Sequence, residues 1–211
     1  MSSRRVSVVA ILVTAGALGG CGGSAHHAAP GAAASGGATT PASAGAGGPG
    51  ALSADARSAA TGDIPDNQVF LTFAARSAGF SIKYPEGWTR SGAAGTVTFR
   101  DKNNLVRVLV RPGSAPSAAS VATQLAALKR ASPTLTFTTP HTVTLRAGSA
   151  VRARYTTLTA ANPVTGRRVK LVVDRYELAH GGRVAVVDLG TPVGVDNVDA
   201  YRIMIESFRW R

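Results

Sequence analysis

The chain is poor in the residues that build covalent or metal frameworks. Its 211 residues include one cysteine, Cys21. A single thiol excludes an intramolecular disulfide scaffold and any multi-cysteine zinc site. Histidine is scarce as well: there are four, and only His141 and His180 lie beyond the first sixty residues. No His, Asp or Glu cluster has metal-ligand spacing, and there is no glycine-rich phosphate loop or nucleophile-elbow pattern. Long apolar runs are missing too. The longest, Val6 to Ala17, is too short to span a bilayer. Acids are few: eleven Asp and Glu stand against 23 Lys and Arg, a formal charge of +12.

The single cysteine closes a recognisable segment. Arg4 and Arg5 precede the apolar stretch, and Leu18-Gly19-Gly20-Cys21 follows it. A charged start, a short apolar middle and small residues form an export signal. Leu18, Gly19, Gly20 and Cys21 resemble the bacterial lipobox. That resemblance implies cleavage before Cys21, diacylglyceryl attachment to its thiol and acylation of the freed amine. Each buried acyl CH₂ contributes about 0.8 kcal/mol, so two or three chains anchor firmly. An ordinary signal peptide with a chance cysteine is the plain alternative. Ser3-Arg4-Arg5 leaves a twin-arginine signal as another.

Residues 21–63 follow as lipidated Cys21 and a tether almost wholly of Gly, Ala, Ser, Thr and Pro, with Leu52 the one large aliphatic residue. Such a stretch cannot bury enough apolar area to offset chain entropy, so disorder is expected. As a flexible coil it spans about 35 Å root-mean-square. The adjacent His26 and His27 lie here and lack further ligands nearby, which makes them an incidental solvated pair.

Residues 64–211 are long enough for one real core. Alternating apolar residues predict strands at Val69-Leu71-Phe73, Phe80-Ile82-Tyr84, Val97-Phe99, Val106-Val108-Val110, Val151-Ala153-Tyr155, Val169 to Leu178 and Val184 to Leu189. Phe137 is expected on an edge strand before Pro140, with Val143 and Leu145 continuing beyond it. Asp101 to Asn104 and His180-Gly181-Gly182 are hairpin turns. Two helices are expected. Ser117 to Ala131 carries Val121, Leu125 and Leu128 on one face, with Ser117 as cap. The second opens at Asp196, with Val198, Tyr201, Ile205 and Phe208 sharing a face. Strands joined by short turns, with one helix midway and one near the end, make an α+β domain: a mostly antiparallel sheet flanked by helices.

Gly79-Phe80-Ser81-Ile82-Lys83-Tyr84-Pro85-Glu86-Gly87-Trp88 carries a further resemblance. An aromatic-polar-apolar strand running into a Tyr-Pro-x-Gly-Trp turn is similar to the PsbP-like domains, and Val97 to Asp101 and the closing helix near Ser207-Phe208 also fit. Together with the lipobox, the chain resembles small bacterial lipoproteins of the actinobacterial type with a PsbP-like domain. The resemblance implies an antiparallel sheet flanked by helices and an extrinsic role beside a membrane. It carries no catalytic residue, because Tyr84, Pro85, Gly87 and Trp88 read as fold determinants.

Twenty Lys and Arg fall between Arg76 and Arg211, against nine acids from Asp66 onward. This excess points to an anionic partner, or reflects the coding bias of a GC-rich genome. Lys83, Arg107, Arg152 and Arg154 lie opposite the apolar residues of their strands, as does Arg100. They are the candidate anionic-ligand face, provided those strands are neighbours. Asp196, Asn197 and Asp199 have the oxygen chemistry for a hard cation, but helix capping accounts for them, so no metal or cofactor is assigned. The expected function is a non-enzymatic interaction module, lipid-anchored on the extracytoplasmic side of the cell membrane. It would bind or help assemble a membrane- or wall-associated protein. The alternative is binding of an anionic lipid or wall polymer. Nucleic acid is excluded by the location and by the lack of stacking aromatics among the basic residues.

Overall fold

The computed structural model describes residues 62–93 and 95–211. The export signal, Cys21 and all but the last residues of the tether therefore lie outside the described residues.

Among the described residues ten strands form two antiparallel sheets. The small sheet has the order β1 (Phe70–Ala75), β2 (Phe80–Pro85), β10 (Arg209–Trp210). The large sheet has seven strands. Its order is β3 (Thr89–Ser91), β4 (Thr96–Asp101), β5 (Asn104–Pro112), β9 (Arg183–Pro192), β8 (Lys170–His180), β7 (Gly148–Leu158), β6 (His141–Leu145). Helix α1 (Ala118–Ala131) joins β5 to β6, and α2 (Val198–Ser207) joins β9 to β10.

Each face of the large sheet has its own core. On one, Phe99, Val106, Val108, Leu178, Val187 and Leu189 pack with Phe80 and Ile82 of the small sheet and with Tyr201, Met204 and Ile205 of α2. Tyr84 stacks on Phe99 at 4.1 Å between ring centroids, and Phe73 meets the same ring edge-on at 5.5 Å. On the other face, Val151, Ala153, Tyr155, Leu171 and Val173 pack with Val121 and Leu125 of α1. Ser117 caps α1 through a capping box in which its hydroxyl accepts from the Ser120 amide while the Ser120 hydroxyl accepts from the Ser117 amide.

The turns follow their residues. Gly87, at φ +86°, closes the Tyr84–Trp88 turn, and Trp88 returns to the core. Gly181 and Gly182, at φ +55° and +71°, close the β8–β9 hairpin.

Some expectations are corrected. Phe137 makes only an isolated bridge to Tyr155, because Pro140 interrupts the segment. Val69, Leu71, Leu128 and Val198 are exposed, since packing at those positions ends before the sequence pattern does. The N-cap of α2 is Asn197 rather than Asp196, although an Asp196 side-chain oxygen accepts from the Val198 amide.

Candidate functional site

A recess of about 420 Å³ opens between α2 and the β6–β7–β8 edge of the large sheet. Val143 and Leu145 of β6, Val172 of β8, Leu189 of β9 and Ile205 of α2 give it apolar walls. Arg152, Arg154, Asp174, Tyr176, Arg202 and Glu206 add polar groups.

Sheet register builds this polar edge. Arg154 lies directly opposite Asp174 across the β7–β8 pair, and Arg152 lies opposite Tyr176. Arg154 therefore reaches straight across to Asp174 and Arg152 reaches it diagonally. Arg152 donates through Nε and Nη2 to Asp174 Oδ1, at 3.1 and 2.9 Å. Arg154 donates through Nε to Oδ1 at 3.3 Å and through Nη2 to Oδ2 at 3.0 Å. The hydrogen bonds it donates to Asp174, and that carboxylate's negative charge, raise the Arg154 pKa above the usual guanidinium value. Two guanidiniums share one carboxylate, leaving one net positive charge and unused N–H groups. The Arg152 guanidinium also lies 5.6 Å from the centroid of the Tyr176 ring. Burial pushes the Tyr176 phenol up, so it stays a neutral donor at physiological pH.

The head of α2 is held by a buried amide. Asn197 accepts from the Ile64 amide at 2.8 Å and donates to Gly62 O, Asn104 Oδ1 and Thr191 Oγ1. Tyr201 donates its hydroxyl to Gly190 O. These bonds tie α2 to β9 and to the chain preceding β1.

The four cations expected on one face are distributed over three places. Only Arg152 and Arg154 come together. Lys83 lies on β2 of the small sheet, paired with Thr72. Arg107 lies on the opposite, α1-facing side of the large sheet. There it pairs with Asp188, which also takes Nε and Nη2 of Arg175 at 2.8 and 3.0 Å. Arg100 is on β4, two strands beyond β9. Alternation correctly set each side chain against its apolar neighbours, but it did not say which side of which sheet. Asp174, Tyr176, Arg202 and Glu206 were not singled out in the sequence. The one signal for Asp174 and Tyr176 was the polar run Asp174-Arg175-Tyr176-Glu177 inside an otherwise apolar strand.

Other polar candidates are also placed. Asn197 points into its buried network while Asp199 pairs with Arg202 at 2.8 Å, so the oxygens near the start of α2 do not converge. Among the described residues no group of three or more His, Cys, Asp or Glu can hold a metal ion. His141 is exposed, and His180 stacks near Trp210 with ring centroids 6.0 Å apart. The Ser207 hydroxyl donates to Met204 O and accepts from the Lys83 amide.

No protein-family model matches the chain, and no curated protein matches it. Among solved structures, the chain is similar to cyanobacterial PsbP (CyanoP) from Synechocystis sp. PCC 6803. Identity is 15%, the match covers 71% of this chain and 98% of that one, and the TM-score is 0.52. The fold is PsbP-like. At weaker likeness stand the Ran-binding protein Mog1p of Saccharomyces cerevisiae (9% identity, 67% and 95% coverage, TM-score 0.46) and a protein of Bacteroides thetaiotaomicron (16%, 66% and 48%, 0.44). The chain spans about half the length of the Bacteroides protein. A PsbP-like mostly antiparallel α+β domain is the fold that the Tyr84–Trp88 motif implied.

Proposed function

We propose that the protein is a non-enzymatic interaction module, lipid-anchored through Cys21 on the extracytoplasmic side of the cell membrane. In this reading it binds or helps assemble a membrane- or wall-associated protein. The recess between α2 and β6–β8 is the observation that carries the proposal. Apolar walls beside guanidiniums held by Asp174 suit an apolar side chain of a partner with a carboxylate next to it. Each guanidinium is oriented before binding, so little rotamer entropy is lost on engagement.

A photo-crosslinking residue at Val143, inside the recess, tests this in intact cells. A defined protein adduct from position 143, and none from position 129 on α1, is expected. Absence of any adduct above background at position 143 overturns the reading.

A second reading takes an anionic lipid or wall polymer as ligand. The cationic excess of the domain supports it, but the single sheet face first assigned to it is divided among three surfaces.

A further inference from the structure

A second cavity, of about 410 Å³, lies beside the C-terminal end of α2. Four cationic side chains line it: Lys83 of β2, Arg146 of the β6–β7 turn, Arg209 of β10 and Arg211 just beyond. One acid, Glu206, lines it with them. The ion pairs among the described residues all use other cations. Arg209 is explained by the helix end, since its Nη1 donates to Glu206 O and Phe208 O at 2.8 and 2.6 Å. Lys83, Arg146 and Arg211 make no such side-chain bonds. Like charges brought together repel, and a fold with acids to spare would neutralise them. This one sets a single acid among four cations.

We propose that this cavity is a phosphate-binding site. A compact polyvalent oxyanion matches the arrangement: Arg209 is oriented by its carbonyl bonds, while Arg146, Arg211 and Lys83 line the same cavity with N–H donors that no side-chain bond takes up. The phosphate comes either from a lipid headgroup or from a soluble or polymer-borne ester, and the two differ in what must surround the site. This inference does not depend on the recess reading, which stands or falls on the crosslink from position 143.

The test uses residues 21–211 carrying Cys21→Ser, so that neither acyl chains nor the apolar Val6 to Ala17 stretch drives vesicle binding. Calorimetric titration with inorganic pyrophosphate measures the soluble arm. Flotation with phosphatidylglycerol vesicles, against phosphatidylcholine vesicles, measures the headgroup arm. We expect binding in at least one arm, weakened about tenfold or more by Lys83→Gln with Arg146→Gln, as loss of charge-assisted hydrogen bonds implies. Lys129→Gln with Arg130→Gln removes the same charge from α1 and should change binding less than twofold. Glu206→Gln removes the one acid and should tighten binding, a gain that misfolding cannot produce. Binding to pyrophosphate alone assigns a soluble or polymer-borne phosphate; binding to the anionic vesicles alone assigns a headgroup; binding to both assigns the phosphate itself. The proposal is overturned by no binding in either arm, by equal binding to neutral vesicles, or by equal loss in the two double variants.

Discussion

Asp188 is 1% exposed and lies between two guanidiniums, paired across β5–β9 with Arg107 and across β8–β9 with Arg175. Burial alone would lower the Arg175 pKa, but the bond to Asp188 and its field outweigh that, and the guanidinium stays charged. Asp188→Ala leaves Arg175 buried without its main partner and should cost about 3–5 kcal/mol, read as a lowered urea midpoint. The triple change Arg175→Met, Glu177→Gln and Asp188→Leu should recover most of it, because Glu177, buried and paired with Arg175 at 3.9 Å, would otherwise keep an uncompensated charge. The Arg175 guanidinium also lies 5.3 Å from the centroid of the Tyr155 ring. Burial pushes the Tyr155 phenol from 10.0 up to about 12. Because the folded state holds that proton more tightly, its contribution to stability is present below pH 10 and disappears as pH rises toward 12. Tyr155→Phe should therefore lose less stability between pH 9 and pH 11 than the parent, measured by denaturant unfolding at both values.

At the scale of the element, α1 and α2 differ in how their starts are held. The α1 start is local: Ser117 and Ser120, three residues apart, satisfy each other's amides. Ser117→Ala should cost about 1 kcal/mol, seen as a lower melting temperature. This helix start was legible because its chemistry lies within one turn. The α2 start is not local. Asn197 spends its side chain on Ile64, Gly62, Asn104 and Thr191 rather than on its own helix. A reading based on spacing therefore favoured Asp196. Asn197→Ala should leave the Ile64 amide exchanging faster and lower stability by about 1–3 kcal/mol. Alternation located the main strands. It missed β3, whose three residues are all exposed and so leave no apolar trace.

Across the whole molecule, function depends on which segments the fold brings together. Anchoring gives the clearest expectation. Cys21→Ser should move the protein from the membrane fraction to the soluble fraction or leave it unprocessed, measured by cell fractionation and lipid labelling. Unchanged lipid labelling would refute the anchor. The sequence by itself determined the strand periodicity, the Tyr84–Trp88 and His180–Gly182 turns, the α1 cap and the α+β class, because each rests on contacts within a few residues. Only the tertiary structure decided strand order, and with it the fate of the charges. Asp174 lies twenty residues from Arg154 in the chain, yet sheet register places it directly opposite. Arg146, in the turn between two strands of the large sheet, and Lys83, on the small sheet, line one cavity only where α2 ends. Side-chain alternation states that a residue points away from its apolar neighbours. Whether it then meets a carboxylate, solvent or another cation depends on segments far away in sequence.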